Sequence, residues 1–292
     1  MSTLTPERRL RHPSWIRTTA GGGEDYQRVR DTLRGRQLHT VCEEAQCPNR
    51  GECWGHGTAT FILMGEVCTR RCHFCAVGKG VPEPLDAAEP GNVADAAVAL
   101  HLDYVVLTSV DRDDLPDQGS GHFARTIELI HERRPGCRTE ALIPDFRGDR
   151  DCIGRVVRTP VTVLAHNVET VPRLYKTVRP GSVYERSLRV LAQAKEIRPA
   201  VLTKSGLMLG IGETNDEVLA VARDLRAHGC DILTLGQYLQ PSPRELPVQR
   251  YLPPAEFAEL KVAAQALGYR HVESGPLVRS SYHAWEAVPS AT

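Results

Sequence analysis

Six of the nine cysteines in this 292-residue chain lie in two short segments, and thiols spaced this closely indicate bound metal. They form two sets, Cys42, Cys47 and Cys53, then Cys68, Cys72 and Cys75. Structural zinc usually takes four protein ligands, whereas three thiolates on one loop can hold three irons of a 4Fe–4S cube. The remaining iron has no protein ligand, so a small molecule can bind and react there.

The second set has the spacing C-x3-C-x2-C, with the aromatic Phe74 just before its last thiol. This loop, Cys68-Thr-Arg-Arg-Cys72-His-Phe-Cys75, resembles that of the radical S-adenosyl-L-methionine (SAM) enzymes. The resemblance implies that the open iron chelates the methionine end of SAM. A zinc knuckle is the alternative for this loop. The resemblance leaves His73 a non-ligand, and we expect it to be exposed.

The first set, with spacing C-x4-C-x5-C, narrows the resemblance to one family. Together with the C-terminal Arg279-Ser-Ser-Tyr-His-Ala284, it makes the chain similar to the lipoyl synthase family over nearly its whole length. Three thiolates again leave a cube one ligand short, and a serine hydroxyl could complete it. Oxygen is a harder donor than thiolate, so the iron that it binds would be released most easily.

Spacing alone leaves Ser280 and Ser281 both open as that ligand, and the family motif carried over residue by residue favours Ser281. His39 and His283 adjoin this site in the matching motifs and would orient its ligands.

The resemblance implies two 4Fe–4S clusters, SAM, and insertion of two sulfur atoms at C6 and C8 of a protein-bound octanoyl-lysine. The cluster at Cys68, Cys72 and Cys75 would cleave SAM to a 5′-deoxyadenosyl radical, and the auxiliary cluster would give up sulfur. The implied partners are octanoylated carrier domains (the E2 subunit of 2-oxoacid dehydrogenases or the glycine-cleavage H protein), ferredoxin or flavodoxin as reductant, and an iron–sulfur cluster carrier.

Two other functions fit parts of this pattern. Another two-cluster radical SAM sulfur-insertion enzyme, similar to the methylthiotransferases, would need a separate N-terminal domain and usually an RNA-binding β-barrel, for which this chain has no room. A non-catalytic iron–sulfur or zinc module would hold metal without reacting. Counting bound iron and sulfide separates such a zinc module from the enzyme.

The overall composition argues against several classes of partner. Lys plus Arg and Asp plus Glu both number 36, so no basic field favours nucleic acid. No apolar run approaches the ~18 residues of a membrane span, and the first ten residues lack the apolar core of a signal peptide. We therefore expect a cytoplasmic monomer that is not membrane-bound. Cys137, Cys152 and Cys230 occur singly and are interpreted as small buried residues.

Short apolar runs alternate with helical patterns, which predicts βα units and a parallel sheet. The six predicted strands are 61–64, 104–107, 140–143, 161–164, 206–209 and 232–235, and the clearest helices are 94–100, 123–133, 184–197, 217–228 and 255–267. Six units are too few to close an eight-stranded barrel. The fold class is therefore α/β, a partial (β/α)6 TIM-like barrel of the radical SAM type, with N- and C-terminal extensions covering one mouth.

The chain divides into three parts of one structural unit. Residues 1–57 form an N-terminal extension with the auxiliary-cluster cysteines, 58–268 form the partial barrel, and 269–292 form a C-terminal segment. Active sites of such barrels lie where the strands end at their carboxyl side. Asp111, Asp113 and Asp114 lie in such a loop, and we interpret them as solvated or as a patch meeting the substrate's lysine arm.

SAM carries an ammonium group, a ribose and an adenine, so its pocket needs polar side chains and close backbone. The predicted contacts are Phe74, Thr108, Ser109, Glu140, Asn167, Gly210 and Glu213. The last two belong to the segment from Gly206 to Glu213, which resembles the glycine-rich stretch that backs adenine in the superfamily, where glycines let the backbone approach a ligand.

Overall fold

The computed structural model describes residues 11–17, 22–36, 38–44, 47, 49–55, 60–281 and 284–288. Within these residues, an eight-stranded sheet has the order β1-β2-β5-β6-β7-β8-β9-β10, and β3 pairs with β4 separately. The strands are β1 (His39–Thr40), β2 (Thr60–Leu63), β3 (Val67–Cys68), β4 (Gly78–Lys79), β5 (Tyr104–Ser109), β6 (Arg138–Leu142), β7 (Val163–Ala165), β8 (Leu202–Leu209), β9 (Ile232–Gln237) and β10 (His271–Gly275).

Helices connect most of these strands on the outside of the sheet. They are α1 (Glu24–Gly35), α2 (Val41–Glu44), α3 (Arg50–Gly55), α4 (Glu89–Ala99), α5 (Ser120–Arg133), α6 (Arg150–Val157), α7 (Tyr175–Val178), α8 (Tyr184–Ile197), α9 (Asn215–Ala227) and α10 (Pro254–Gln265). None of the described helices has the length and apolar character needed to cross a membrane.

Each neighbouring pair from β2 to β10 runs parallel, and only β1, at the edge, runs antiparallel to its partner among the described strands. The α/β class and all six predicted strands are confirmed. The prediction missed a seventh parallel strand, β10. Its residues, His271-Val-Glu-Ser-Gly275, bury only Val272, because β10 lies at the edge of the sheet and most of its side chains stay partly exposed.

Local residue preferences explain where several helices begin and end. Thr214 and Glu217 form the capping box of α9, α10 begins at Pro254, and Gly229 and Gly268 follow helices with φ of 84° and 85°. Helix α6 was missed. Its N-cap is Asp149, whose side chain accepts hydrogen bonds from two backbone amides of the first turn.

Described parts of the N- and C-terminal segments contact each other and the barrel. The Asn49 side-chain amide donates to the Leu277 carbonyl (2.7 Å), which joins the first cysteine segment to the C-terminal segment. At the opposite end of the sheet, Ala287 and Val288 pack against Val163 and Ile232, the first residues of β7 and β9. The C-terminal segment therefore reaches beyond the mouth that it was expected to cover.

Candidate active site

A cavity of about 540 Å³ lies inside the curved sheet, at the end where the strands finish. Both cysteine sets contribute to its wall, through Cys47 and Cys53 of the first and Cys68, Cys72 and Cys75 of the second. The backbone of Cys42 belongs to α2, and its side chain lies outside the described residues. The fold thus brings two segments that are distant in the sequence to one space.

The second cysteine loop begins at the end of β3 and is tied to the loop after β5. The Cys68 sulfur accepts hydrogen bonds from the backbone amides of Arg70 (3.4 Å) and Asp111 (3.3 Å). Burial, and then the Asp111 carboxylate, raises the pKa of the Cys68 thiol to about 12; burial also raises that of Cys75, to about 11. Without a cation these thiols keep their protons, so metal binding must release them.

Arg70, within the C-x3-C spacing, fixes this loop to two neighbouring strand ends. Its guanidinium contacts Asp111 (3.3 Å), Asp113 (2.9 Å) and the fully buried Asp145 (2.7 Å). Burial opposes ionisation of Asp145, but Arg70 outweighs it and lowers the pKa of Asp145 to about 2. The interpretation of Asp111 and Asp113 as a solvated loop was wrong, because both face this buried cation. Asp114 instead pairs with Arg112 (2.8 Å).

A second buried arginine approaches Cys72 from the loop after α7. Arg179 donates to the carbonyls of Asn167 (2.8 Å) and Val168 (3.2 Å). Burial raises the pKa of Cys72, and the Arg179 cation counteracts part of that rise. Burial also raises the pKa of Glu169, and the Arg179 cation again counteracts part of that rise. Sequence reasoning missed both arginines as site residues, although an arginine within a cysteine loop is a signal that could have pointed to Arg70.

Four of the predicted SAM contacts lie together in the cavity wall, namely Phe74, Thr108, Ser109 and Asn167. Thr108 donates to the Leu142 carbonyl (3.1 Å). Five buried polar atoms of the wall have no hydrogen-bond partner within the described chain: Asn49 Oδ1, Ser109 Oγ, His166 Nε2, Asn167 Oδ1 and Arg179 Nε. Buried polar groups are normally hydrogen-bonded. A ligand with several donors and acceptors, as SAM has, fits this wall.

Three other predicted contacts lie outside the wall. Glu140 is buried, and its carboxylate is occupied by Lys204 (2.9 and 3.1 Å) and by the Tyr104 hydroxyl (2.8 Å). The Glu213 carboxylate instead accepts the backbone amides of Gly210 (2.5 Å) and Ile211 (3.0 Å) and so closes the turn after β8. None of the three residues lines the cavity, and hydrogen bonds within the protein satisfy the carboxylates of Glu140 and Glu213.

The two serines differ in their surroundings. Both serines are half-buried and line the cavity, but Ser280 Oγ also accepts a hydrogen bond from the Asn167 side-chain amide (2.6 Å). Arg279 also lines the cavity; burial lowers its pKa, and the proximity of Cys47 opposes that change.

The histidine predictions have separate outcomes. His39 is half-buried beside Glu44 (3.4 Å) and does not line the cavity, whereas His283 lies outside the described residues. His73 is exposed, as expected, and its Nδ1 contacts the Thr177 carbonyl (2.7 Å). The single cysteines, Cys137, Cys152 and Cys230, are buried, as expected.

Comparisons with known proteins agree with this arrangement. Residues 62–225 match the family model of the radical SAM superfamily, and a crystal structure of methylornithine synthase has the same fold (TM-score 0.51, 17% identity, covering 75% of this chain and 72% of that one). Fold and cysteine loop thus define a radical SAM enzyme. Residues 2–47 match the N-terminal domain of lipoyl synthase.

Relatives specify the family further. Lipoyl synthase of Koribacter versatilis is 54% identical over 98% of this chain and 94% of its own length. That of Thioalkalivibrio sulfidiphilus is 57% identical over 95% of this chain and 87% of its own. The chain belongs to the lipoyl synthase family. These relatives do not favour the methylthiotransferase-like or the non-catalytic alternative.

Proposed function

We propose that this protein inserts sulfur at C6 and C8 of an octanoyl group carried on a lysine of a small protein domain. The observation that carries the proposal is the shared cavity, where Cys47 and Cys53 line the same space as Cys68, Cys72 and Cys75. A hydrogen-abstracting centre and a sulfur donor must both reach one substrate carbon. The division into residues 1–57, 58–268 and 269–292 serves this purpose, since each part supplies a section of the site.

We assign Cys68, Cys72 and Cys75 to the cluster that binds SAM, and the orphaned atoms of Ser109 and Asn167 to SAM itself. When bound, SAM and the reduced cluster supply a carbon-centred radical that can take hydrogen from an unactivated C–H bond. The chain's own task is positioning and exclusion of water. Arg70 fixes the loop through three carboxylates, and Arg179 places a cation beside Cys72.

The sulfur donor is a cluster held by Cys42, Cys47, Cys53 and Ser281. Both serines line the cavity, and the hydrogen bond that the Ser280 hydroxyl already accepts from Asn167 supports Ser281 as the ligand. Phe74 and Thr108 complete the SAM wall. Glu140, Gly210 and Glu213 are not assigned to SAM, because their polar groups are satisfied within the protein.

The proposed partners follow from this reaction. The substrates are octanoylated E2 subunits of 2-oxoacid dehydrogenases and the glycine-cleavage H protein. Ferredoxin or flavodoxin supplies electrons, and an iron–sulfur cluster carrier rebuilds the spent donor. The proposed location is the cytoplasm, and neither nucleic acid nor a membrane takes part.

The test is direct. Protein reconstituted with iron and sulfide is incubated with SAM, a strong reductant and an octanoyl-lysyl peptide, and products are followed by mass spectrometry. We expect the peptide to gain two sulfur atoms and SAM to yield 5′-deoxyadenosine. Cys68→Ala should abolish both products, whereas Cys152→Ala, at a buried cysteine outside the cavity, should retain them. A wild-type protein that cleaves SAM but leaves every octanoyl peptide unmodified would contradict the proposal.

A further inference from the structure

The segment that follows β10 carries both serines and folds back over the sheet. Strand β10 ends at Gly275, and the chain turns there, because the Val278 amide donates to the Gly275 carbonyl (3.1 Å). Val278 is buried and lines the cavity together with Ser280 and Ser281. We call residues 276–281 the strap. The strap therefore forms part of the cavity wall and brings the serines to it.

Gly236, the last residue but one of β9, is in direct contact with the strap. A Cβ atom at this position would overlap the carbonyl oxygen of Val278 and lie 3.0 Å from its carbonyl carbon. Side-chain Cβ atoms do not approach backbone atoms so closely, so glycine is needed for the strap to pack at this distance from β9. The φ angle of Gly236 is not positive. The position thus requires glycine for its small size and not for its backbone conformation.

Hydrogen bonds on either side of this contact tie the strap to the rest of the site. The Leu277 carbonyl accepts from the Asn49 side chain (2.7 Å), and the Asn49 carbonyl accepts from the Cys53 amide (2.9 Å). Further along the strap, Ser280 Oγ accepts from the Asn167 side chain (2.6 Å). The distance of the strap from β9 therefore determines where its serines lie relative to the first cysteine set.

We propose that Gly236 is a positioning residue for the auxiliary cluster, because it admits the Val278 carbonyl and so holds Ser281 where this serine can bind iron. The inference rests on the proposed function, which assigns Ser281 as a ligand of that cluster. A larger residue at position 236 would push the strap away from β9. The loop of the second cysteine set is not part of this contact, so the SAM-binding cluster should be unaffected.

Hydrogen exchange of metal-free protein tests whether the strap moves. In Gly236→Ala the strap amides should exchange at least about tenfold faster than in wild type, because the strap can no longer pack on β9. Gly275→Ala is the matched control, since Gly275 pairs with Gly236 in the sheet. A Cβ atom at Gly275 would lie 3.4 Å from Val278 Cγ2, an ordinary contact, so this variant should exchange like wild type.

Iron release tests the link to the cluster. In a chain whose second cysteine set is replaced by alanine, only the auxiliary cluster should form on reconstitution. A chelator should then take iron from Gly236→Ala at least about tenfold faster than from Gly275→Ala, because a displaced Ser281 no longer holds its iron. Combining Gly236→Ala with Ser281→Ala should give no faster release than Ser281→Ala alone, because both substitutions remove the same iron contact.

Product analysis of the enzyme with both cysteine sets provides the third measurement. Gly236→Ala should form 5′-deoxyadenosine like wild type but yield at least about tenfold less lipoyl product, as expected when a reacting group is misplaced. Asn49→Ala provides an independent test should Gly236→Ala fail to fold. It removes the hydrogen bond to Leu277, so it should also speed exchange of the strap and release of iron.

Three results would overturn the inference. The first is that Gly236→Ala and Gly275→Ala exchange and release iron at the same rates. The second is that the double variant releases iron much faster than Ser281→Ala. The third, where Gly236→Ala does not fold, is that Asn49→Ala leaves both rates unchanged. Failure of the proposed function is distinct, because wild type would then insert no sulfur into the octanoyl peptide whatever these rates are.

Discussion

Ser280 and Ser281 are adjacent in the sequence but have different partners, and this difference bears on the chemistry of the site. Both serines lie in the cavity wall, but the Asn167 amide donates to the Ser280 hydroxyl and so occupies one of its lone pairs. Spacing could not choose between the serines. The choice depends on a residue 113 positions away from Ser280 in the chain, which only the fold brings near.

Ser281 variants should separate SAM cleavage from sulfur insertion. Ser281→Ala should reduce sulfur insertion far more than SAM cleavage, since the cluster at Cys68 is unaffected. Ser281→Cys should keep about eight irons yet lose most product, because a fourth thiolate holds the iron that must leave. Iron analysis and product quantification check both. If the Ser280→Ala variant fails while both Ser281 variants react like wild type, Ser280 is the ligand.

His166 should make stability depend on pH in the acid range. Burial, and then the Arg179 cation, lowers its pKa to about 4, while Asp145 opposes the shift. The unfolded chain therefore takes up this proton first, near pH 6.5, and stability falls as pH drops from about 6.5 to about 4.

The size of this effect can be measured by urea unfolding of metal-free protein. Between pH 7.5 and 5 the wild type should lose about 2 kcal/mol through this group. His166→Asn keeps a donor for the Ile143 carbonyl, which His166 contacts at 2.8 Å, but cannot titrate, so it should lose about 2 kcal/mol less over the same interval. Equal losses in the two proteins would contradict the assignment.

Among the elements, the cysteine loop depends on Arg70 for its position. Arg70→Met would leave the fully buried Asp145 with Arg186 (3.1 Å) as its remaining arginine partner, and would leave Asp111 and Asp113 facing an apolar side chain. Removing one partner of a buried ion pair lowers the free energy of unfolding by about 3 kcal/mol or more. The loop should loosen, and after reconstitution the iron content should fall from about eight toward four.

Arg71→Met is the control for this prediction, because the neighbouring Arg71 is exposed. Its free energy of unfolding should stay within about 0.5 kcal/mol of wild type, as is usual for surface substitutions. Urea unfolding before reconstitution, followed by an iron count afterwards, measures both effects. If the Arg70 and Arg71 variants behave alike, the carboxylates do not fix the loop through Arg70.

The elements that the sequence predicted best are those with a strong apolar period. Helix α8 was predicted at 184–197 and observed at Tyr184–Ile197, with Leu188 and Leu191 on its buried face. Strand β10 was missed because an edge strand needs few apolar residues. Lys204 was equally unpredictable, since its partner Glu140 lies on β6, and β7 separates β6 from β8 in the sheet. Local sequence patterns indicate which residues are buried, whereas the pairing of buried charges depends on the fold.

For the whole molecule, described residues on both sides of the parallel strands in the sequence, such as Asn49 and Val278, line the cavity together with residues of the parallel strands. The Asn49 amide joins the first cysteine segment to the Leu277 carbonyl, and the Asn167 amide joins the strand loops to Ser280. The proposed sulfur donor would thus be bound between segments that are distant in the sequence, so its assembly depends on the fold.

If the donor is part of the protein, purified chain without a source of iron and sulfide should form at most about one lipoyl group per molecule. Protein reconstituted with ³⁴S-sulfide should then place ³⁴S at both C6 and C8, because both atoms come from one bound cluster. Mass spectrometry of the peptide product measures the label, and unlabelled sulfide in the buffer is the control for exchange. Many turnovers without added sulfur, or unlabelled product from labelled protein, would require an external donor.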